Sequence, residues 1–370
     1  MNEFDVAIIG GGPAGAAAAL TLLRHTGHRV AVIERSSYDC WRAGETLAPG
    51  ALPLLDYLGV SELPAAPNHV RAYGTGAAWG SDRVTSRDFL FAGRGEGINL
   101  DRQAFDAGLA AAIVARGGTL LTNCSVMRET KNHDAWHIAL TNGSELSARF
   151  VLDCSGRQAI FARRRGAKPQ VDDHLVGLVA LFQLDSGSAA ERMTIVEAVP
   201  NGWWYSAVIP EEKMVVALMT DGDLVRESRL LDKQIWLQAL DGTTATRARV
   251  ARGRLLRDPL AFPAHSQTLD NLGDHTWLAA GEAAAAFDPL SSMGIGYALI
   301  SGINAARAAD SSLRGNSEHA SLYIEDIRRH YARYLERRAA IYAMETRWPE
   351  EPFWARRTIS SADGADITQI

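Results

Sequence analysis

The sequence predicts an α/β fold: helices wound on a parallel sheet, with a second lobe built on an antiparallel sheet. Three observations predict it. Between Val6 and Arg35 a buried strand, a glycine-rich turn, an alanine-rich helix and another buried strand follow one another. From about Asp173 to Met219 the pattern changes to short strands separated by turn residues. The length of 370 residues exceeds what one ordinary core serves, and 47% hydrophobic with 22% charged residues is an ordinary globular balance.

The first elements follow from residue types. Val6-Ala7-Ile8-Ile9 is an apolar run that suits a strand buried on both faces. Gly10-x-Gly12-x-x-Gly15, with Pro13 and Ala14 inside it, opens an alanine- and leucine-rich helix through about Leu23. Arg29-Val30-Ala31-Val32-Ile33 has the β-branched enrichment of a parallel strand and ends in Glu34-Arg35. Together these make one βαβ unit of about thirty residues, the setting in which such glycines mean a Rossmann-like dinucleotide site rather than a chance cluster. Gly10 allows the tight turn, Gly12 lets backbone approach a pyrophosphate, and Gly15 allows close packing of helix on strand. Glu34 falls where a carboxylate can accept hydrogen bonds from an adenosine ribose, with Arg35 beside it. This fingerprint does not separate FAD from NAD.

Later segments do. Arg42-Ala43-Gly44-Glu45-Thr46-Leu47, Asn99-Leu100-Asp101-Arg102 leading to Phe105 and Leu109, Val151-Leu152-Asp153-Cys154-Ser155-Gly156, Leu278-Ala279-Ala280-Gly281-Glu282-Ala283-Ala284 and Asp288-Pro289-Leu290-Ser291-Ser292-Met293-Gly294-Ile295-Gly296 resemble, in this order, segments of flavin-dependent halogenases and related monooxygenases. Each alone reads equally as turn or capping chemistry; their order carries the resemblance. It implies FAD as cofactor, in a Rossmann-like FAD-binding domain of the aromatic-hydroxylase type with an antiparallel β-sheet substrate domain. It further implies FAD contacts from Arg42, Glu45, Thr46, Leu47, Arg102, Val126, Asp153, Gly156, Gly281, Glu282, Pro289, Met293, Gly294 and Ile295. Glu282 departs from the family's aspartate by one methylene, so a shifted geometry is expected there. The expected FAD-binding domain covers 1–80, 96–165 and 268–315, the substrate domain 81–95 and 166–267, and a C-terminal helical segment and tail 316–370.

In the second lobe, Trp204-Tyr205-Ser206-Ala207-Val208-Ile209 and Met214-Val215-Val216-Ala217-Leu218 read as a hairpin about Pro210-Glu211-Glu212-Lys213. Trp203, Trp204 and Tyr205 place aromatic surface there, either to line a substrate pocket or to pack the core. Residues 323–348 read as a long charged helix with a solvated arginine-rich face, and the tail after about Arg357 as loosely held.

Halogenases of this resemblance need a catalytic lysine downstream of the Gly-Glu stretch, and no lysine precedes Lys131. Hydroxylation with molecular oxygen is therefore the expected chemistry. Residues 197–206 and 288–292 are similar to flavoproteins that mature tryptophylquinone enzymes, which implies a precursor quinoprotein oxidase as protein substrate and hydroxylation of its tryptophan. Two other readings stay open: an FAD-dependent hydroxylase or epoxidase of a free aromatic molecule, and a non-catalytic flavin-binding chaperone of a partner oxidase. Asp288 and Glu45 are the candidates for proton transfer, each equally able to cap a helix or hold backbone donors. Electrons come from NAD(P)H or from a separate flavin reductase, since no second nucleotide motif is evident.

The remaining features exclude. A formal net charge of -5 with mixed signs gives no basic field for nucleic acid. Cys40, Cys124 and Cys154 lie far apart, which fits neither a disulfide framework nor a zinc site and suits a reducing compartment. His133 and His137 lack further ligands, so no metal is expected. The N-terminus has no secretory pattern and no run reaches membrane-spanning length, so a cytoplasmic protein is expected.

Overall fold

The computed structural model describes residues 2–65, 68–89, 95–132, 134–185 and 192–358. His133 and the tail beyond residue 358 lie outside the described residues. Two compact units emerge: Met1–Ala66, Asp101–Asp172 and Ser266–Tyr331 form the first, and Pro67–Leu100, Asp173–His265 and Ala332–Ile370 the second. These bounds differ from those expected above. Residues from 67 on go with the second unit because Gly74–Ala78 pairs in parallel with Met193–Val199. Pro169–Val171 goes with the first because it pairs with Gln267–Leu269. The expected C-terminal segment is shared, since the helix Glu318–Ala343 runs past the bound at Tyr331.

In the first unit, parallel strands run in the order Thr119–Leu121, Val30–Ile33, Asn2–Ile9 and Glu145–Asp153. The far side of Glu145–Asp153 is divided: its first half pairs antiparallel with Trp136–Leu140, and its end pairs in parallel with Trp277–Ala279. Ile9 is level with Ile33 and Asp153, and Asp153 with Ala279, so these strands end along one edge. Ligands of open α/β sheets bind outside that carboxyl edge.

The helix Pro13–His25 is buried on every side from Ala14 to Leu22, and its small residues are the reason it can be. The helix Gly294–Leu313 comes so close that a side chain at Gly302 would lie 2.2 Å from the carbonyl oxygen of Ala14. Among the described residues, no helix is long and apolar enough to cross a membrane and no His, Cys, Asp and Glu cluster could hold a metal ion. Cys124 and Cys154 are buried, Cys40 is exposed, and all three are free thiols.

The second unit holds a seven-stranded sheet in the order Arg254–Pro263, Leu175–Gln183, Lys213–Asp221, Gly202–Ile209, Met193–Val199, Gly74–Ala78 and Thr85–Asp88. All its pairings are antiparallel except that of Met193–Val199 with Gly74–Ala78. The expected hairpin is present, with Ile209 opposite Lys213.

Of the two readings of Trp203 and Trp204, the structure supports core packing and not the substrate pocket, since both are fully enclosed. Adjacent strand residues point to opposite faces, and here both faces are covered. Trp203 donates its indole N–H to the hydroxyl of Tyr342 (3.0 Å), while Trp204 packs edge-on against Trp236 at 5.0 Å between ring centres. Of the three aromatics only Tyr205 keeps partial exposure.

The hairpin turn itself is unusual in composition. Glu211 and Glu212, the central pair of the turn that Lys213 N–H closes onto the carbonyl of Pro210 (3.4 Å), both adopt left-handed backbone, with φ of 61° and 55°, where such a pair favours Asn-Gly. Gln183 steadies it, its amide donating to the carbonyls of Glu211 (2.9 Å) and Glu212 (3.2 Å). Replacing Glu211-Glu212 by Asn-Gly should therefore stabilise the protein by about 1 kcal/mol, read as a higher urea midpoint at unchanged slope. A midpoint equal to or below that of the parent would show the turn to be unstrained.

Candidate cofactor site

The edge where the parallel strands end gathers most of the residues expected to hold the cofactor. Each follows directly on a strand: Gly10 on Asn2–Ile9, Glu34 on Val30–Ile33, Cys154 to Gly156 on Glu145–Asp153, and Ala280 to Glu282 on Trp277–Ala279. Backbone hydrogen bonds continue past the strand ends, from Gly10 N–H to Ile33 (2.8 Å), Cys154 N–H to Ile9 (2.8 Å) and Ala280 N–H to Asp153 (2.8 Å).

Two glycines shape the turn. Gly10 has φ of 100°, and a β-carbon there would sit 2.3 Å from the carbonyl oxygen of Cys154. A β-carbon at Gly15 would sit 1.9 Å from the carbonyl oxygen of Gly10. Gly12 is different: a β-carbon there meets no non-local atom within 4 Å, and the same holds at Gly156 and Gly294. Side chains are thus barred by the fold at Gly10 and Gly15, whereas Gly12 presents open backbone.

The helix starts differ in how they are capped. Pro13–His25 starts at Gly12, and Gly294–Leu313 starts at Met293; neither has a side-chain cap or an acidic residue in its first turn. Arg102–Ala115, by contrast, is capped by Asp101, whose carboxylate accepts from Ala104 N–H (3.0 Å). An uncapped helix start presents unpaired N–H groups and the positive end of the helix dipole, which suits an anion. The donor set therefore fits a dinucleotide.

Glu34 is buried and its carboxylate accepts from Gly11 N–H (2.8 Å), Ser36 N–H (3.0 Å) and Ser36 Oγ (2.6 Å), with Arg42 Nη2 at 3.3 Å. Burial acts to raise its pKa, but these hydrogen bonds and the Arg42 charge outweigh it and hold the carboxyl below its ordinary range. Tyr38 donates its hydroxyl to the carbonyl of Gly11 (3.0 Å) from a left-handed backbone, φ 65°. Arg35 is exposed. Val126 is buried shortly after Cys124, whose N–H donates to the carbonyl of Glu34 (3.2 Å).

Arg42 and Arg102 converge on Asp106, which the sequence reading missed. Arg102 also donates to the carbonyls of Ala43 (3.2 Å) and Gly44 (3.0 Å). Burial opposes its charge, but Asp106, Glu45 and Glu282 together hold the guanidinium above its ordinary pKa. Glu45 is buried, with one oxygen accepting from Gly44 N–H (2.8 Å). Thr46 is half-buried and Leu47 fully buried.

Two expected FAD contacts, Asp153 and Glu282, and the proton-transfer candidate Asp288 are engaged within the chain itself. Asp153 is fully buried and its carboxylate holds the following turn, accepting from Ser155 N–H (3.0 Å), Ser155 Oγ (2.6 Å) and Ala162 N–H (2.8 Å). It shapes the Gly156 turn rather than facing a ligand. Asp288 is buried and caps the turn Pro289–Ser291 through Leu290 N–H (2.8 Å). Glu282, 45% exposed, uses its additional methylene to reach Arg157 (3.3 Å), a partner that no sequence signal marked. Pro289 and Gly294 are exposed, Met293 is half-buried and Ile295 is buried.

The sequence profile of a family described as FAD binding domain matches residues 3–339. LodB of Marinomonas mediterranea, which carries the name FAD-dependent oxidoreductase, is 37% identical over 98% of this chain and 99% of its own. The tryptophan 2-halogenase of Chondromyces crocatus is 25% identical over 97% of this chain and 71% of its own. Among solved structures, the flavin-dependent halogenase CmlS superposes with a TM-score of 0.87 at 26% identity, over 98% of this chain and 69% of its own. The myxobacterial chondrochloren halogenase CndH gives 0.86 at 20% identity, over 98% and 87%, a likeness of fold.

Gly12 and Gly15 supply a paired test. Gly12→Ala should leave the thermal midpoint of the FAD-free protein within about 2 °C of the parent while raising the FAD Kd at least about tenfold. Gly15→Ala should lower stability itself, because its methyl group collides with backbone. Titration of flavin fluorescence alongside thermal melts separates the two; equal behaviour of both variants would remove the distinction.

Proposed function

The chain belongs to the FAD binding domain family and is an FAD-dependent oxidoreductase, and on that premise we propose that it hydroxylates a tryptophan side chain of a partner protein, a precursor quinoprotein oxidase, during tryptophylquinone formation. The observation that carries this reading is the pair of segments 197–206 and 288–292, similar to flavoproteins that mature tryptophylquinone enzymes. The full-length likeness to LodB at 37%, against 25% for the tryptophan 2-halogenase, supports it. The halogenase's name also points to an indole as the class of ring, and the lack of lysine before Lys131 favours oxygen over halogen.

Bound and reduced, FAD supplies the electrons that activate molecular oxygen for an electron-rich ring. The chain's own residues do the rest. Gly10 to Gly15 and the start of Pro13–His25 take the pyrophosphate, Glu34 the ribose, and Arg42 and Arg102 the neighbouring polar groups. The uncapped start of Gly294–Leu313 offers the N–H groups of Gly294 and Ile295 to negative charge, while Met293 N–H donates to Ser291 Oγ (3.4 Å). Asp288, at the entry to that segment, and Glu45, beside Arg102, are the carboxylates assigned to proton transfer. Electrons come from NAD(P)H or from a separate flavin reductase.

Intact mass spectrometry of a co-expressed precursor quinoprotein oxidase tests the reading. Its tryptophan-containing peptide should gain oxygen only when this flavoprotein is present. No gain with reduced flavin and oxygen supplied transfers the assignment to a free aromatic molecule, and an unmodified partner that is stabilised by the flavoprotein transfers it to a chaperone.

Asp288→Asn separates capping from chemistry, because asparagine caps as well as aspartate but takes no proton. Flavin content should be retained while hydroxylation slows by about a hundredfold. An unchanged rate would remove Asp288 from the mechanism.

A further inference from the structure

The segment from residue 35 to residue 45 contains neither helix nor strand, yet it carries Arg42 and Glu45 to the cofactor edge. A connection of that length without regular structure needs something to fix it. Much of the fixing converges on one carboxylate. Asp106 is 1% exposed, on the helix Arg102–Ala115, one turn beyond Arg102 and on the same face. It accepts from Arg102 Nε (3.2 Å) and Nη2 (3.1 Å), a two-pronged pairing that sets the plane of the guanidinium. Arg42 Nη1 supplies a third hydrogen bond at 3.1 Å.

From there the contacts run outward in two directions. The remaining nitrogen of Arg102 holds the carbonyls of Ala43 and Gly44, and so the approach to Glu45. The other Arg42 nitrogen holds Ser36 Oγ (2.7 Å) and Glu34 (3.3 Å), and Glu34 in turn holds Gly11 N–H in the glycine turn. We infer that Asp106 is a positioning residue for FAD: it touches none of the glycine turn itself, but through Arg42 and Arg102 it sets segment 35–45 against that turn and thereby sets cofactor affinity. A neutral group at this place would leave two adjacent guanidinium ions without the charge that separates and orients them.

The test uses the full-length protein, FAD itself as probe, and hydrogen exchange as a second readout. Asp106→Asn should raise the FAD Kd about tenfold and speed amide exchange in residues 36–45, with exchange in Arg102–Ala115 unchanged. Arg42→Gln, at a side chain 27% exposed and so tolerant of change, should do the same. The double variant should weaken binding by clearly less than the two single effects combined, since both cut the link between Arg42 and Asp106. A parent-like Kd in Asp106→Asn overturns the inference, as does additive weakening in the double variant. Should Asp106→Asn fail to fold, Arg42→Gln decides alone: faster exchange in 36–45 with an unchanged Kd overturns it.

Discussion

In the nucleotide-binding unit the chain turns where there is no room for a side chain. The strand Asn2–Ile9 ends, Gly10 swings into left-handed backbone over the carbonyl of Cys154, and Gly15 settles the helix onto the carbonyl of Gly10. Helix and strand can approach so closely only because both positions lack a β-carbon. That approach fixes where Pro13–His25 begins, and the level ends of the neighbouring strands bring Glu34, Gly156 and Glu282 alongside it. A β-carbon at either position would force apart elements whose separation every later contact assumes.

Buried carboxylates then divide the remaining work between the two units. In the first, Glu34 and Asp106 are tied to guanidinium groups and backbone N–H groups that lead back to the glycine turn. In the second they hold architecture. Glu197 accepts from the N–H groups of Thr244, Ala245 and Thr246, so it fastens the start of Ala245–Val250 to the sheet, and Asp221 pairs with Arg356 and Arg357 of the helix Pro352–Thr358. A buried charge is tolerable only with such partners, and losing one partner destabilises more than the pair had contributed. Glu197, Trp203 and Trp204 thus shape the second sheet, and the likeness of residues 197–206 to tryptophylquinone-maturing flavoproteins is written in structural side chains.

How far the sequence is legible follows from how local each determinant is. The βαβ turn is a short-range matter: Gly10, Gly12, Gly15 and Glu34 lie within consecutive elements, and their spacing prescribes their placement. The hairpin of Gly202–Ile209 with Lys213–Asp221 is legible for the same reason, although its turn residues are poor ones. Whether Trp203 and Trp204 line a pocket or pack the core is not legible locally, because their surroundings come from far along the chain, Trp236 on one face and Tyr342 on the other. Tyr342 belongs to a helix whose arginines suggest a solvated face, yet Ala320, Tyr323, Ile327, Tyr331 and Tyr334 repeat at three- and four-residue spacing along a buried stripe. Asp106 was within reach of sequence reasoning, four residues after Arg102, but its pairing with Arg42 was not. Arg157 as the partner of Glu282 left no local trace at all.

The missing helix caps tie structure to chemistry. An N-cap side chain stabilises a helix by about 1 kcal/mol, and this chain supplies one at Asp101 and at Asp232 but omits it at Gly12 and Met293. The helices Leu52–Leu58, Ile160–Arg164 and Gly222–Glu227 also start without a side-chain cap, but the starts at Gly12 and Met293 are the two that resemblance puts against the cofactor, one toward its phosphates and one toward its ring. The phosphates are charged whenever FAD is bound, whereas negative charge at the ring depends on its redox state. With FAD so placed, the first uncapped start would serve binding itself, and the second would favour the reduced over the oxidised cofactor, as donors aimed at developing charge do. On the proposed placement of FAD, the open backbone at Gly12 would bear on whether the cofactor is held, and the N–H groups of Gly294 and Ile295 on which of its states is preferred.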